Sequence, residues 1–244
     1  MKITVLASGS KGNATIVEVN NHNILIDAGI SLSLLEKRIS SFPKIDTVLI
    51  THTHDDHIKG LRSIIKKYKP TIYTKSDLKA FINYEQINDQ ESILLDDISI
   101  KLIDLSHDVS CCGIIIKEFD KELVYITDTG YINRNILKEI ENKDIYIFES
   151  NHDTEMLWNG SYPRHIKHRI ISDRGHLSNN DCANYLIKSI GVNTKYIVLA
   201  HISEHNNSEE LVANTIEEII NAKNNSIKNV YIAKQEEALE TIEV

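Results

Sequence analysis

The sequence predicts an α/β (α+β) protein, built as a sandwich of two facing mixed sheets with helices on the outer faces. Two observations lead to this prediction. Strand-like and helical runs alternate along the chain, and they form two β-rich blocks that are each followed by helices. No obvious linker separates the blocks, and this order of elements fits facing sheets better than one doubly wound parallel sheet. We therefore expect one domain over residues 1–244 with two pseudo-symmetric halves.

The predicted elements follow from apolar spacing and from the turn residues between the runs. The predicted strands are Ile3–Ala7, Thr15–Val19, Asn23–Asp27, Thr47–Ile50, Ile98–Ile103, Gly113–Lys117, Leu123–Ile126, Ile145–Phe148, Tyr196–Leu199 and Val230–Ala233. The predicted helices are Leu32–Ile39, Asn133–Ile140, Asn179–Ile190 and Ser208–Asn221. Ser31 is the expected N-cap of the first helix. Three consecutive short strands at the start of the chain predict antiparallel pairing there.

Composition limits the classes of function. With 244 residues, 41% hydrophobic and 25% charged, the chain has the composition of an ordinary globular protein. Its net charge of −8 argues against a protein that coats nucleic acid through bulk charge. The chain has no apolar run long enough for a membrane span, and its first residues do not resemble a signal peptide. We expect a cytoplasmic protein with no membrane partner.

The three cysteines, Cys111, Cys112 and Cys182, form no recognisable disulfide framework. No Cys-x-x-Cys pair indicates a zinc thiolate or redox site. We expect small buried thiols in a reducing compartment.

A histidine cluster follows the strand Thr47–Ile50 directly. Residues 51–57 read Thr-His-Thr-His-Asp-Asp-His, which places His52, His54, Asp56 and His57 in one loop. Imidazole nitrogens and carboxylate oxygens suit zinc, manganese or iron, and a loop at a strand end allows such side chains to converge. This loop predicts a metal site.

Four further candidates stand where later predicted strands end. They are His107, Asp128, Glu149 and His201. Functional groups collected from several strand ends are a common way for a rigid scaffold to build one site. Taken alone, each of these residues would be interpreted as a turn or capping residue. Because four of them occur at strand ends in a chain that also has the histidine cluster, a shared site is favoured.

The segment His52–His57 has the HxHxDH pattern and resembles the metallo-β-lactamase superfamily. The histidine, aspartate and histidine that follow it are similar to that superfamily's remaining metal motifs, so the resemblance covers nearly the whole chain. Four segments resemble the YycJ (WalJ) branch, which is regarded as DNA exonucleases: Ser8–Asn13, Glu149–Asp153, Gly175–Asn179 and Ala200–Asn207. The last two segments also resemble motifs of tRNase Z.

The resemblance implies an αββα sandwich with two divalent metal ions, either zinc or manganese, with iron as a further option. It implies that His52, His54 and His107 hold one ion. It implies that Asp56, His57 and His201 hold the other and that Asp128 bridges both. Asp55 has no match in the pattern, and the β-lactamase cysteine ligand has no counterpart.

The same resemblance implies roles for three catalytic residues. Two ions would lower the pKa of a bound water, which would act as the nucleophile, and would stabilise charge on the attacked phosphorus. Asp56 would be able to accept the proton of that water. His176 matches the histidine held to act as the acid in tRNase Z, and Glu149 would orient and charge its imidazole.

A basic segment, residues 161–174, is a candidate for substrate contact. It contains Arg164, Lys167 and Arg169, and these cations suit a phosphate backbone. A solvated helix face is the alternative interpretation. Trp158 and Tyr162 are candidates for stacking on a base or for anchoring the segment. His152 is a candidate for substrate contact or for a structural role.

We expect a metal-dependent hydrolase, and the leading function is a nuclease that acts as a DNA exonuclease. A phosphodiesterase on a small substrate such as a cyclic nucleotide uses the same residues and is the first alternative. A thioester or lactam hydrolase and a non-catalytic metal-binding module are the others. About 47 residues separate Asp128 from His176, too few for a β-CASP insert. Relatives commonly dimerise, so a homodimer is among the expected partners, together with the nucleic acid or nucleotide substrate.

Overall fold

The computed structural model of the protein describes residues 1–78, 84–87, 91–222 and 229–244. The strands in these ranges are β1 (Lys2–Ala7), β2 (Ala14–Val19), β3 (His22–Ile26), β4 (Thr47–Ile50), β5 (Thr71–Thr74), β6 (Glu85–Gln86), β7 (Ser92–Leu95), β8 (Ile98–Leu105), β9 (Cys111–Glu118), β10 (Lys121–Ile126), β11 (Ile145–Glu149), β12 (Tyr196–Ala200), β13 (Asn229–Ile232) and β14 (Ile242–Glu243). The helices are α1 (Leu32–Arg38), α2 (Asp55–Ile58), α3 (Leu61–Tyr68), α4 (Arg134–Glu139), α5 (Thr154–Asn159), α6 (Arg164–Ile170), α7 (Asn179–Ser189) and α8 (Glu209–Ala222).

The described strands belong to two mixed sheets of seven strands each, which confirms the predicted fold class. By their contacts, the residues divide into two compact units. The first unit comprises residues 1–104, 109–121 and 233–244, and the second comprises residues 105–108 and 122–232. The expectation of a single domain stays a prediction. None of the helices in the described ranges has both the length and the apolar character needed to cross a bilayer.

The first unit contains one complete sheet, in the order β14-β1-β2-β3-β4-β5-β6. The pairs β1–β2 and β2–β3 are antiparallel, as the opening strands predict, and β3 to β6 are parallel. Residues from this sheet and from α1 and α3 form a buried apolar cluster that includes Ile16, Leu35 and Ile64. This core supports β4, whose four residues are all buried. The loop that carries the histidine cluster therefore starts from a rigid strand.

The second unit contains four parallel strands in the order β13-β12-β11-β10. All five residues of β11 are buried, which explains its continuous apolar sequence, since a central parallel strand is covered on both faces. The carboxyl ends of parallel strands meet at one edge of a sheet. Asp128, Glu149 and His201 therefore come together after β10, at the end of β11 and after β12.

Sequence predicted the positions of most strands and of α1, α4, α7 and α8, but it assigned no element at α2, α5, α6 or β14. Asn133 caps α4 through its side chain, and Ser178 does the same for α7. Ser31 occupies the N-cap position of α1, as predicted, and its side chain makes no cap hydrogen bond. The sequence pattern assigns no element between His57 and Ile98, where α3 and β5 to β7 lie. These strands are short and half exposed, which removes the apolar run that indicates a strand.

Candidate metal centre

The histidine loop of the first unit follows β4 and leads into α2. His52 and His57 are fully buried, while His54 and Asp56 are half-buried. His52 Nε2 lies 3.1 Å from His54 Nδ1. Two ring nitrogens at this distance share either a proton or a cation, so the pair is arranged as ligands would be. Asp55 is exposed, in agreement with its lack of a match to a ligand position.

Asp27, a fully buried residue directly after β3, sets the proton positions of two of these histidines. Its carboxylate accepts from the Thr51 backbone N–H at 2.9 Å and lies 2.7 Å from His57 Nδ1. A carboxylate only accepts, so His57 carries its proton on Nδ1 and the lone pair on Nε2. The Thr51 hydroxyl donates to Asp27 as well, and its oxygen therefore accepts from His52 Nδ1 at 3.0 Å. Both rings thus carry the lone pair on Nε2, the nitrogen that can bind a metal ion.

Asn13 and Gly29 pack against the backbone of the histidine loop at Asp56. The Asn13 backbone N–H donates to the Asp56 carbonyl oxygen at 2.8 Å, and its amide nitrogen lies 3.0 Å from His57 Nε2. A Cβ at residue 29 would lie 1.7 Å from that same Asp56 oxygen, so only glycine fits there. Sequence reasoning did not assign roles to Asp27, Asn13 or Gly29. Asn13 lies in the segment Ser8–Asn13 that resembles the family, and Asp27 is the polar residue at the end of a predicted strand. Both positions could therefore have been selected from the sequence.

In the second unit, Asp128 and His201 face each other. His201 Nε2 lies 3.4 Å from Asp128 Oδ1, and both side chains are 3% exposed. Both residues adopt left-handed backbone, with φ of 57° for Asp128 and 53° for His201. Residues other than glycine rarely adopt this conformation, and it is common where the surrounding structure forces a functional side chain into place.

Glu149 joins two histidines of the same unit. Its Oε1 accepts from His176 Nδ1 at 2.8 Å and from His201 Nδ1 at 3.0 Å. Its Oε2 accepts the backbone N–H groups of Thr129 and Leu177, each at 3.1 Å. Burial by itself raises the pKa of Glu149, but the charge and hydrogen bonds of His176 and His201 lower it to about 2. Glu149 is therefore an anion that fixes both rings with their Nε2 atoms directed away from it.

His107 is held by a backbone carbonyl rather than by a carboxylate. Its Nδ1 lies 3.2 Å from the Gly175 oxygen, so Nδ1 donates and Nε2 carries the lone pair. Burial lowers the pKa of His107, which favours the neutral ring that a metal requires. Its ring centroid is 5.5 Å from that of His176.

The donor chemistry of these residues fits a divalent metal ion. Within the second unit, Asp128, Glu149, His176 and His201 each offer one ligand atom, and these atoms all lie within 4.8 Å of one another. Ring nitrogens whose other N–H is fixed by a carboxylate or carbonyl, together with carboxylate oxygens, are typical of zinc, manganese and iron sites. The cysteines are buried and unbridged, as expected.

A buried amide network supports His201 and explains the asparagines in the quoted motifs. Asn207 donates to the carbonyl oxygens of Ser150 and Asn151 at 3.0 and 3.1 Å. Asn151 in turn donates to the His201 carbonyl oxygen at 2.9 Å. Asn179 bonds to both Asn207 and Ser150. These residues hold the strand ends in place and are positioning residues that sequence reasoning did not identify.

His152 and the basic segment differ in how accessible they are. His152 is 2% exposed, and its Nδ1 has no hydrogen-bond partner among the described residues. Burial lowers the pKa of His152 to about 4, so the ring is neutral. The Lys167 ammonium is buried and donates to two backbone oxygens at 2.7 Å each. Lys167 can contact a substrate only after both of these hydrogen bonds break. Arg164 and Arg169, in contrast, are exposed.

The donor groups of each unit fit a divalent metal ion, and the comparisons with known proteins identify the family. Residues 22–202 match the family described as "Beta-lactamase superfamily domain", and the chain belongs to it. Exodeoxyribonuclease WalJ of Streptococcus pneumoniae is 37% identical over 232 residues, which cover 88% of this chain and 86% of WalJ. Exodeoxyribonuclease YycJ of Bacillus anthracis is 34% identical over 240 residues, which cover 91% of this chain and 90% of YycJ. The resemblance to this branch is thereby confirmed.

A solved structure supports the fold. The metallo-β-lactamase fold protein YhfI from Bacillus subtilis superposes with a TM-score of 0.74 over 98% of both chains, at 17% sequence identity. At this identity the likeness concerns the fold alone, and it agrees with the two mixed sheets described above.

Proposed function

We propose that this protein is a metal-dependent phosphodiesterase that degrades DNA as an exonuclease. The Glu149–His176 pair at 2.8 Å is the observation that carries the proposal. Cleavage of a phosphodiester releases an alkoxide, which needs a proton, whereas a thioester releases a thiolate that needs none. A fixed acid beside the candidate ligands Asp128 and His201 therefore favours phosphodiester chemistry. Two relatives named as exodeoxyribonucleases, similar over most of their length, support DNA as the substrate.

We propose two divalent ions, zinc or manganese, in the arrangement of the superfamily. His52, His54 and His107 would hold one, Asp56, His57 and His201 would hold the other, and Asp128 would be shared. Support comes from the ring protonation described above, which leaves the lone pair on Nε2 of His52, His57, His107 and His201. When bound, such a pair lowers the pKa of water and stabilises charge on the attacked phosphorus.

The chain's own groups perform the proton transfers. Asp56 accepts the proton of the attacking water. Glu149 holds His176 Nδ1–H, so the charged ring carries its transferable proton on Nε2 and delivers it to the leaving oxygen. Arg164 and Arg169, which are exposed on α6, contact the phosphates of the strand.

The first experiment uses end-labelled single- and double-stranded DNA with manganese-loaded protein, and products are resolved on a gel. The wild type should remove nucleotides stepwise, and Asp128→Ala should remove none. Intact DNA in every lane with the wild type would contradict the exonuclease, and hydrolysis of a cyclic nucleotide instead would identify a small-substrate phosphodiesterase.

A second experiment isolates the acid. His176→Ala should slow DNA cleavage by roughly 100- to 10,000-fold. It should leave hydrolysis of a p-nitrophenyl ester of thymidine phosphate within a few-fold of wild type, because p-nitrophenolate leaves without a proton. His22→Gln, at a histidine outside the proposed machinery, is the matched control. An equal loss on both substrates would show that His176 does not act as the acid.

A further inference from the structure

Tyr131 is an exposed aromatic residue that the proposed chemistry leaves unused. It is 46% exposed and stands three residues after the candidate metal ligand Asp128. Three residues of chain span at most about 11 Å, so Tyr131 starts close to the proposed metal centre. A single exposed aromatic residue is common on protein surfaces. The position of Tyr131 and the way its backbone is held set it apart from the other exposed rings.

The turn that carries Tyr131 is fixed to the carboxylate that also holds the proposed acid. The Thr129 backbone N–H donates to Glu149 Oε2 at 3.1 Å. The Thr129 hydroxyl lies 3.2 Å from the Ser106 carbonyl oxygen and 3.0 Å from that of Tyr131. The Gly130 backbone N–H donates to the same Ser106 oxygen at 3.1 Å. The turn is therefore ordered before any ligand arrives, which lowers the entropic cost of binding.

The same turn packs on the segment that follows α6, within the second unit. A Cβ at residue 130 would lie 2.1 Å from the Ser172 carbonyl oxygen, so glycine is needed for this close approach. The Ser172 backbone N–H donates to the Arg169 carbonyl oxygen at 3.2 Å. Arg169 Nη2 in turn lies 3.3 Å from Asp108 Oδ2, in the loop that also contains Ser106. An exposed ring and an exposed cation are thus attached to one set of connected loops.

The chemistry of a strand end fits an exposed ring at this position. Every base has a π-face, so an aromatic side chain can stack on it without reading the sequence. Inside a duplex both faces of a base are covered by its neighbours, and only the terminal base has an open face. Stepwise removal of nucleotides cleaves the phosphate next to that base, and successive phosphates of one strand are about 3.4 Å apart along the duplex axis. The terminal base therefore lies within reach of a residue three positions from Asp128.

We propose that Tyr131 stacks on the open face of the terminal base of the DNA strand that is cleaved, and so selects strand ends. This inference rests on the exonuclease function proposed above. It adds a specificity residue that distinguishes an end from an internal phosphodiester, because an internal base has no open face for the ring. A blunt duplex provides this face on its terminal base pair.

The fluorescence of 2-aminopurine tests the contact directly, because stacking quenches this base analogue. The metal-loaded full-length protein is titrated with blunt duplexes that carry the analogue at either strand end and phosphorothioate linkages that resist cleavage. The wild type should quench the analogue at one of the two ends and leave an analogue in the middle of the strand unchanged. Tyr131→Phe should quench as the wild type does, and Tyr131→Ala should bind without quenching. Equal quenching by Tyr131→Ala would overturn the inference, as would increased emission on binding.

Kinetics provide the second readout. Tyr131→Ala should raise the KM for duplex DNA by roughly 5- to 100-fold with little change in kcat. A terminal abasic nucleotide should raise the KM of the wild type by a similar factor and should not raise that of Tyr131→Ala further, because both changes remove one contact. Independent, multiplying effects would show that the ring and the terminal base do not touch.

The matched control is Phe119→Ala, at an aromatic residue of the first unit that is 68% exposed. It should quench the terminal analogue and cleave duplex DNA as the wild type does. A loss in this variant equal to that in Tyr131→Ala would overturn the assignment to Tyr131. Circular dichroism checks that each variant is folded.

The outcomes separate this inference from the proposed function. If the wild type degrades DNA but Tyr131→Ala keeps both the quenching and the KM, the stacking contact is wrong and the exonuclease stands. If quenching depends on Tyr131 but no DNA is cleaved, the exonuclease is wrong and the contact with the strand end stands. If Tyr131→Ala turns a dimer into a monomer in sedimentation and leaves the quenching unchanged, the ring contacts a second copy of the chain and the inference is overturned.

Discussion

The buried carboxylate of Asp27 offers the sharpest test of how the first histidine loop is prepared for metal. In Asp27→Asn, the new side-chain oxygen can still accept from Thr51, whose N–H is 2.9 Å from the carboxylate. The amide nitrogen then faces His57 Nδ1, 2.7 Å away in the wild type. An amide N–H donates, so Nδ1 must accept, and the ring proton moves to Nε2. The atom proposed to bind metal is then blocked.

The size of the effect follows from the lost interaction. A hydrogen bond to a charged group contributes roughly 1.5–3 kcal/mol, which is about 10- to 150-fold in a binding constant. Loss of a carboxylate that holds a metal-binding histidine typically costs about 10- to 100-fold in metal affinity. We therefore expect zinc affinity to fall by about 10- to 100-fold in Asp27→Asn. The fold should persist, because the Thr51 bonds remain.

Competition with a chromogenic zinc chelator measures the affinity, and nitrogen NMR of His57 reports which ring nitrogen carries the proton. Asp46→Asn is the matched control, because Asp46 pairs with His22 at 3.1 Å outside the loop. The control should bind zinc as the wild type does. Zinc affinity of Asp27→Asn within two-fold of wild type would refute the reasoning, as would a His57 proton that stays on Nδ1.

Three further predictions concern buried groups outside the proposed chemistry. His152 has a pKa of about 4 in the folded chain against 6.5 when unfolded, so its stabilising contribution is present above pH 6.5 and is lost as the pH falls towards 4. As the pH falls from 6.5 to 4, the free energy of unfolding measured in urea should decrease by about 3 kcal/mol less in His152→Gln than in the wild type. The same pH dependence in both proteins would contradict this. The Tyr146 hydroxyl lies 2.6 and 3.0 Å from two carbonyl oxygens, so Tyr146→Phe should lower the free energy of unfolding by about 1–3 kcal/mol; a change within error would show that those oxygens find other partners. Burial raises the pKa of Cys112 to about 12 and raises that of Cys182 too, so neither thiol should react with an aromatic disulfide reagent before unfolding, and rapid reaction of native protein would disprove their burial.

Elements with local signals could be predicted from sequence. The strands that lead to His52, Asp128 and His201 are short apolar runs, and each ends at a polar side chain. Because hydrophobic spacing and capping are properties of neighbouring residues, they survive in a single sequence. The half-exposed strands between His57 and Ile98 have no such run, and they depend on pairing with strands elsewhere in the sheet.

The candidate site shows the same difference between local sequence signals and contacts with distant residues. Sequence predicted a set of candidate metal donors, because metal chemistry requires particular residue types and strand ends collect them. Only the tertiary structure decided which nitrogen of each ring is available, since Asp27 acts on His57 across 30 positions and Glu149 on His201 across 52. It also decided that Lys167 is buried against backbone oxygens while Trp158 faces solvent. Burial and proton position depend on partners distant in the chain, and no local pattern encodes them.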